Sequence, residues 1–139
     1  MTEKLKDKLE DLWDSIYNLT IEPIVDFYDN IRYFIQRGKR GYSDRDVWNF
    51  DCYIADILKG GITDLRDKHS GYPTNLEPDE WDDILDTMIE GFDYYDKEDK
   101  LMDSEPYNDE VYMKEEPKLR KKLDKSLKLF AKHFQSLWD

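Results

Sequence analysis

Apolar residues recur at spacings of three and four along most of the chain, which is typical of amphipathic helices. In residues 3–18 one face is apolar and the opposite face is charged; the apolar residues are Leu5, Leu9, Leu12, Trp13 and Ile16. Asn18 and Thr20 interrupt this pattern, so we expect the first helix to end there. A second helix is predicted to begin near Pro23 and to stop at Gly38, the usual kind of cap. Its apolar face contains Ile24, Phe27, Tyr28, Ile31, Phe34 and Ile35.

A third helix is predicted to begin at Ser43, which is a favourable N-cap residue. Asp44 and Asp46 would then lie in its first turn, where the helix dipole favours anions. The expected core positions are Val47, Phe50, Ile54, Ile57 and Leu58. The Gly60-Gly61 pair weakens the helix, but the apolar register continues, so we expect a kinked helix that reaches about Lys68.

Two more helices are predicted in the second half of the chain. One begins at Pro78, and its apolar face consists of Trp81, Ile84, Leu85, Met88, Ile89 and Phe92. Residues 96–113 are rich in acids and poor in aliphatic residues, which predicts a solvated linker. The last helix, residues 118–137, is expected to turn inward Leu119, Leu123, Leu127, Phe130, Phe134 and Leu137. No segment shows the sustained alternation of apolar and polar residues that is typical of β-strands. The sequence therefore predicts an all-α single domain over residues 1–139, an irregular bundle of four to five helices.

The charge of the chain limits the classes of partner. The net charge is -12, which disfavours general binding to nucleic-acid phosphates. The charge is uneven, because residues 114–139 hold eight Lys and Arg against four acids, so we expect this basic helix to pack beside acidic helices. The single cysteine, Cys52, is typical of a reducing compartment, and no apolar run suggests a signal peptide or membrane span. We therefore expect a cytoplasmic protein.

The sequence offers little material for catalysis. The two histidines, His69 and His133, have no nucleophile at motif spacing, and no cysteine pair or H-E-x-x-H motif provides a zinc site. The acids of residues 77–110 include a close group on one helix, Asp79, Asp82, Asp83 and Asp86, but a solvated acidic face explains them more simply. We therefore expect no catalytic residues, no metal site and no cofactor.

The stretch RGKRGYSDRDVWNFD, residues 37–51, combines cations, glycines and aromatics at a junction between helices. Arginine and lysine bind phosphate or carboxylate groups, and the aromatics can stack on a ring. The candidate ligand-binding residues are Arg37, Lys39, Arg40, Tyr42, Asp44, Arg45, Trp48, Asn49 and Asp51, with Arg66, His69 and Tyr72 as more distant contributors. Helical spacing would place Asp44, Trp48 and Asp51 on one face. The stretch thus predicts a pocket for a small anionic ligand, unless its acids only cap the helix and pair with its arginines.

The motif Arg37-Gly38-x-Arg40-Gly41-Tyr42-Ser43-Asp44-x-Asp46-x-Trp48 is followed by GYP and then by EWDDIL. Over about residues 20–95 the chain resembles a family of small, mostly uncharacterised phage-encoded helical proteins. This resemblance implies a phage accessory protein that acts by binding in the cytoplasm of the infected bacterial host. We expect such a protein to block a host defence protein or to sequester a nucleotide-derived immune signal.

Three hypotheses follow for the function. The first is a binding protein for a phosphorylated, nucleotide-like signal, in which a homodimer or larger assembly completes the site. The second is a protein inhibitor whose acidic residues 77–110, with fifteen acids and two lysines, mimic the charge of nucleic acid. The third is a metal-dependent nucleotide hydrolase that uses the clustered acids.

Overall fold

The computed structural model describes residues 3–138, apart from the side chains of Lys4 and Leu5, and it confirms the all-α fold. The helices are α1 (Glu3–Ile16), α2 (Glu22–Arg40), α3 (Phe50–Lys68), α4 (Pro78–Phe92), α5 (Tyr94–Met102) and α6 (Asp109–His133). A π-helical turn, Tyr17–Ile21, joins α1 to α2, and a short 3-10 turn, Phe134–Ser136, follows α6. No strand occurs in residues 3–138, and no helix there is long and apolar enough to cross a membrane.

The helices form two compact units that meet in sequence between Asn49 and Phe50. The first unit contains α1, α2 and the turn that follows α2, and the second contains α3 to α6. The single domain expected from the chain length stays a prediction.

In the first unit, α1 and α2 continue into each other, so the predicted break at Asn18 and Thr20 is wrong. The chain widens into a π turn instead, and the Thr20 hydroxyl donates to the Ile16 carbonyl at 2.5 Å. This wide turn ends two residues before Pro23, which has no N–H to donate. The apolar residues of α1 and α2 whose side chains are described are mostly exposed, so they form no core within this unit.

The third helix begins at Phe50, seven residues later than the predicted start at Ser43. Residues 44–49 form turns with i to i+3 hydrogen bonds, because the Asp46 carboxylate accepts from the Ser43 N–H at 2.7 Å and also binds Arg37. The predicted end at Lys68 is confirmed. The predicted core face is largely wrong, since Val47, Phe50, Ile54 and Ile57 are exposed, whereas Ala55 and Ile62 are buried.

The core of the second unit lies around α4, as its sequence predicts. Trp81, Leu85, Met88 and Phe92 are buried, and α4 packs against both α3 and α6. A capping box between Glu77 and Glu80 starts the helix at Pro78.

The predicted linker at residues 96–113 is mostly helical, because tyrosines tie the acidic segment to its neighbours. The Tyr94 hydroxyl donates to Glu116 at 2.7 Å, and the Tyr112 hydroxyl donates to Glu98 at 2.8 Å. The side chain of Asn108 then caps α6, which begins nine residues before the predicted position and includes Pro117. Along α6 the buried residues are Ser126 and His133, while the predicted core residues Leu127 and Phe134 are exposed.

Candidate functional site

The chain reverses direction after α2 through Gly41. Its φ of 83° lies in the left-handed region, which glycine adopts without strain, and its N–H donates to the Arg37 carbonyl at 2.9 Å. The following turn, residues 41–49, runs back beside the polar face of α2. The motif glycine therefore has a structural role.

Asp46 fastens this turn to α2. Its side chain is buried and accepts from Arg37 Nε at 2.8 Å, from a second Arg37 nitrogen and from the Ser43 N–H. These bonds, chiefly the one from Arg37, hold the pKa of the Asp46 carboxyl well below its usual range. Asp46 is thus ionised, and it uses much of the binding capacity of Arg37.

Asp44 gathers a second set of donors on the same side of α2. It accepts from Arg40, from Gln36 Nε2 at 2.8 Å and from Arg32 at 3.1 Å. The bond from Arg40, followed by that from Gln36, lowers the pKa of Asp44. The Arg40 guanidinium also lies over the Tyr42 ring, 4.7 Å from its centroid. As the alternative reading of the sequence anticipated, Arg40 pairs with a nearby acid.

A cleft of about 580 Å³ opens beside this ion-paired turn. We call it the Trp48 cleft, and its lining residues are Asp26, Asp29, Asn30, Tyr33, Asp44, Arg45 and Trp48. The Trp48 side chain is 91% exposed, which is unusual for the largest apolar side chain. Three carboxylates and one guanidinium line the cleft, so its formal charge is -2.

Part of the predicted site is therefore assembled and part is not. Asp44, Arg45 and Trp48 line the cleft. Arg37, Lys39, Arg40, Tyr42 and Asn49 belong to the same unit without lining it. The prediction that Asp44, Trp48 and Asp51 share one helical face is wrong, because α3 begins only at Phe50.

The remaining predicted residues belong to the second unit, where their neighbours are residues of that unit. Asp51 accepts from the Tyr95 hydroxyl at 2.8 Å. Arg66 Nε donates to Asp86 at 3.0 Å, and His69 Nε2 lies 2.8 Å from Asp82 Oδ1. Tyr72 lines a separate groove of about 340 Å³ together with Trp138. These contacts give Arg66 and His69 structural partners.

Four lining residues were missed in the sequence: Asp26, Asp29, Asn30 and Tyr33. The sequence does contain a pattern that groups them, because these four residues recur at helical spacing on the face of α2 opposite Phe27, Ile31 and Phe34. A polar face is commonly only solvated, and the sequence does not show that residues 41–49 fold back beside it.

Neither metal ligation nor relatedness provides a further guide to the site. Within residues 3–138, no group of three or more His, Cys, Asp or Glu side chains is placed to hold a metal ion. No family model, no curated protein and no solved structure matches this chain.

Proposed function

We propose that this chain is a binding protein that holds a nucleotide-like ligand in the Trp48 cleft. The observation that carries the proposal is the exposed Trp48 beside one guanidinium and three carboxylates. An exposed indole next to oriented polar groups provides a stacking surface together with hydrogen-bond partners.

The ring of the ligand stacks on Trp48, and stacking on an aromatic side chain contributes about 1–3 kcal/mol per base. Carboxylates accept hydrogen bonds but cannot donate them, so Asp26 and Asp29 select a base with an exocyclic amino group. Asn30 can both donate and accept, which suits a neighbouring ring nitrogen. Adenine and cytosine meet these requirements better than hypoxanthine and uracil.

The phosphate of the ligand binds Arg45, the one cation among the lining residues. Arg37 and Arg40 are engaged with Asp46 and Asp44, so they add less than the sequence suggests. A cleft with a formal charge of -2 favours one phosphate over three, because each added phosphate meets carboxylates without a new cation. The preferred ligand is therefore a nucleoside monophosphate or a signal built from one.

Binding without turnover is the activity that this arrangement supports. Captured ligand is removed from solution, and the resemblance to phage-encoded helical proteins supports sequestration of a host defence signal as the biological role. The proposal needs no cofactor.

Isothermal titration calorimetry tests the proposal with AMP, IMP and ATP. We expect AMP to bind and IMP to bind about tenfold or more weakly, because the loss of a hydrogen bond to a charged group costs about 1.5–3 kcal/mol. ATP should also bind more weakly than AMP. Trp48→Ala should lose the AMP heat, whereas Trp138→Ala, which removes another exposed tryptophan, should not. Binding that strengthens from AMP to ATP, or no heat with any of them, would contradict the proposed site.

The acidic segment supports the second candidate, inhibition of a basic protein. Many acids of residues 77–110 are exposed, but five of the fifteen, Asp82, Asp86, Glu90, Asp93 and Asp96, form salt bridges with cations of the described chain. This internal pairing reduces the charge available to a partner. Affinity for a basic nuclease that falls steeply between 50 and 300 mM salt would support this candidate.

A further inference from the structure

The helix that runs from α1 through the π turn into α2 has one continuous apolar face, and this face is exposed. Its members are 44–78% exposed, and they are Leu9, Leu12, Ile16, Leu19, Ile24, Phe27, Ile31 and Phe34. We call this set the apolar face. A contiguous apolar surface of this length is uncommon on a soluble monomer and marks an interaction surface.

The spacing along the apolar face is symmetric. The successive separations are 3, 4, 3, 5, 3, 4 and 3 residues, which read the same in both directions. The central separation of five residues, from Leu19 to Ile24, spans the π turn Tyr17–Ile21. Since a π turn holds one more residue than an α turn, it absorbs the extra residue and keeps both halves on one side of the helix.

The centre of this symmetry is also the centre of the helix. The midpoint of Glu3–Arg40 falls between Ile21 and Glu22, and so does the midpoint of the apolar face. Two copies of the helix that pack antiparallel about this point therefore bring Leu9 opposite Phe34 and Leu12 opposite Ile31. A surface that complements itself under a two-fold rotation is what an isologous dimer requires.

The charges favour the same antiparallel arrangement. About the midpoint, residues 3–21 carry five acids and three lysines, a net charge of -2, whereas residues 22–40 carry three acids and four cations, a net charge of +1. An antiparallel pair brings the acidic half of each helix against the basic half of the other, and a parallel pair brings like charges together.

The apolar area is sufficient for a stable dimer. Trp13 and Tyr28 flank the apolar face, four residues after Leu9 and Ile24. Together with Phe27 and Phe34 they are 62–78% exposed, and an aromatic side chain can bury about 150–250 Å². These four residues alone then bury roughly 400–700 Å² per copy, against roughly 800 Å² per partner in a standard interface. The aliphatic members of the apolar face supply more.

We propose that the apolar face binds the same face of a second copy, forming an antiparallel helical dimer centred on the π turn. The Trp48 cleft involves the opposite, polar face of α2, so both copies keep an accessible cleft. The proposal does not depend on the ligand of that cleft.

Light scattering on the full chain measures its mass in solution and so tests whether the apolar face binds a second copy. We expect twice the 16.8 kDa mass of one chain. Phe27→Glu on the apolar face should reduce the mass to that of one chain, whereas Asn30→Glu, the same added charge on the polar face, should not. A wild-type protein that has the mass of one chain at tens of micromolar would overturn the proposal. The apolar face would then be covered by another part of the chain or by another protein.

Disulfide trapping tests the orientation. Leu12→Cys and Ile31→Cys are each made in a Cys52→Ser background, and the two proteins are oxidised separately and as an equal mixture. Antiparallel packing predicts a strong disulfide-linked dimer only in the mixture, because residue 12 of one copy meets residue 31 of the other. Strong linkage of Leu12→Cys to itself would establish a parallel pair and overturn the proposed arrangement.

Discussion

Asp46 shows how one side chain determines local structure in the first unit. It is buried, and its oxygens accept from the Ser43 backbone and from Arg37 on α2. In isolation, the sequence Ser43-Asp44-Arg45-Asp46 resembles the start of a helix. The long-range bonds to Arg37 outweigh this local preference, because hydrogen bonds to charged groups are about twice as strong as neutral ones.

Asp46→Asn should loosen the turn of residues 41–49 without unfolding the second unit. Asparagine keeps the shape but removes the charge that Arg37 binds, at a cost of about 1–3 kcal/mol. We expect amide hydrogen exchange in this turn to become about ten- to a hundredfold faster, with exchange in α4 unchanged. Unchanged exchange in the turn would show that Asp46 does not hold it to α2.

Burial also sets the behaviour of His133 in the second unit. Its ring packs edge-on to Trp81 with centroids 5.6 Å apart, and Nε2 has no hydrogen-bond partner among the described residues. Burial, with a smaller effect from Lys132, lowers the pKa of His133 below 6.5. The folded state therefore favours the neutral ring.

A pH dependence follows from this lowered pKa. Below about pH 6.5 the unfolded chain binds a proton at His133 that the folded chain resists, so stability falls as the pH decreases. We expect the second unit to lose up to about 1 kcal/mol between pH 7.5 and 5.5 through this group. Denaturant unfolding of His133→Phe should lack this part of the decline. Equal declines for both proteins would contradict the assignment.

Among the elements, the contact between α4 and α6 depends on one small residue. A Cβ added to Gly91 would lie 1.9 Å from Ser126 Oγ and 2.5 Å from the Lys122 carbonyl oxygen. The buried Ser126 hydroxyl is itself held at 2.8 Å by the Thr87 carbonyl. The two helices pack too closely here for any side chain at residue 91.

Gly91→Ala should therefore destabilise the second unit by about 1–3 kcal/mol, since overpacking forces the helices apart. Gly60→Ala is the matched control, because its Cβ would meet no atom within 4 Å in the middle of α3. We expect the control to stabilise the unit by up to about 1 kcal/mol, as alanine favours helix. Thermal unfolding of the two variants measures both effects, and equal shifts would refute the close-packing explanation.

Sequence periodicity was sufficient for elements that build their own core. The predicted face of α4 and the end of α3 at Lys68 are confirmed. Periodicity was insufficient where contacts between residues distant in sequence determine the local structure. Tyr94 and Tyr112 order the acidic segment that composition marks as a linker, and the Asp46–Arg37 pair delays the start of α3.

The candidate site was predictable in its central residues but not in its chemistry. Trp48, Arg45 and Asp44 were expected, whereas the wall supplied by Asp26 and Asp29 was not. The cations of residues 37–45 predicted a pocket for a small anionic ligand. Arg37 and Arg40 pair with Asp46 and Asp44 and do not line the cleft, whose charged lining residues are three aspartates and one arginine.

On the scale of the whole molecule, α2 has two faces that serve different purposes. The polar face forms the wall of the Trp48 cleft, and the apolar face is proposed to bind a second copy. The second unit builds a core of its own around α4. This separation predicts that variants of the cleft leave the mass in solution unchanged.

The central claim is that a nucleotide-like ligand stacks on Trp48. The most direct measurement is a two-dimensional NMR spectrum of the four indole N–H groups, of Trp13, Trp48, Trp81 and Trp138, during titration with AMP. We predict a saturable shift of one signal, the signal that Trp48→Phe removes. A titration in which that signal stays in place, whether or not another indole signal moves, would contradict the claim.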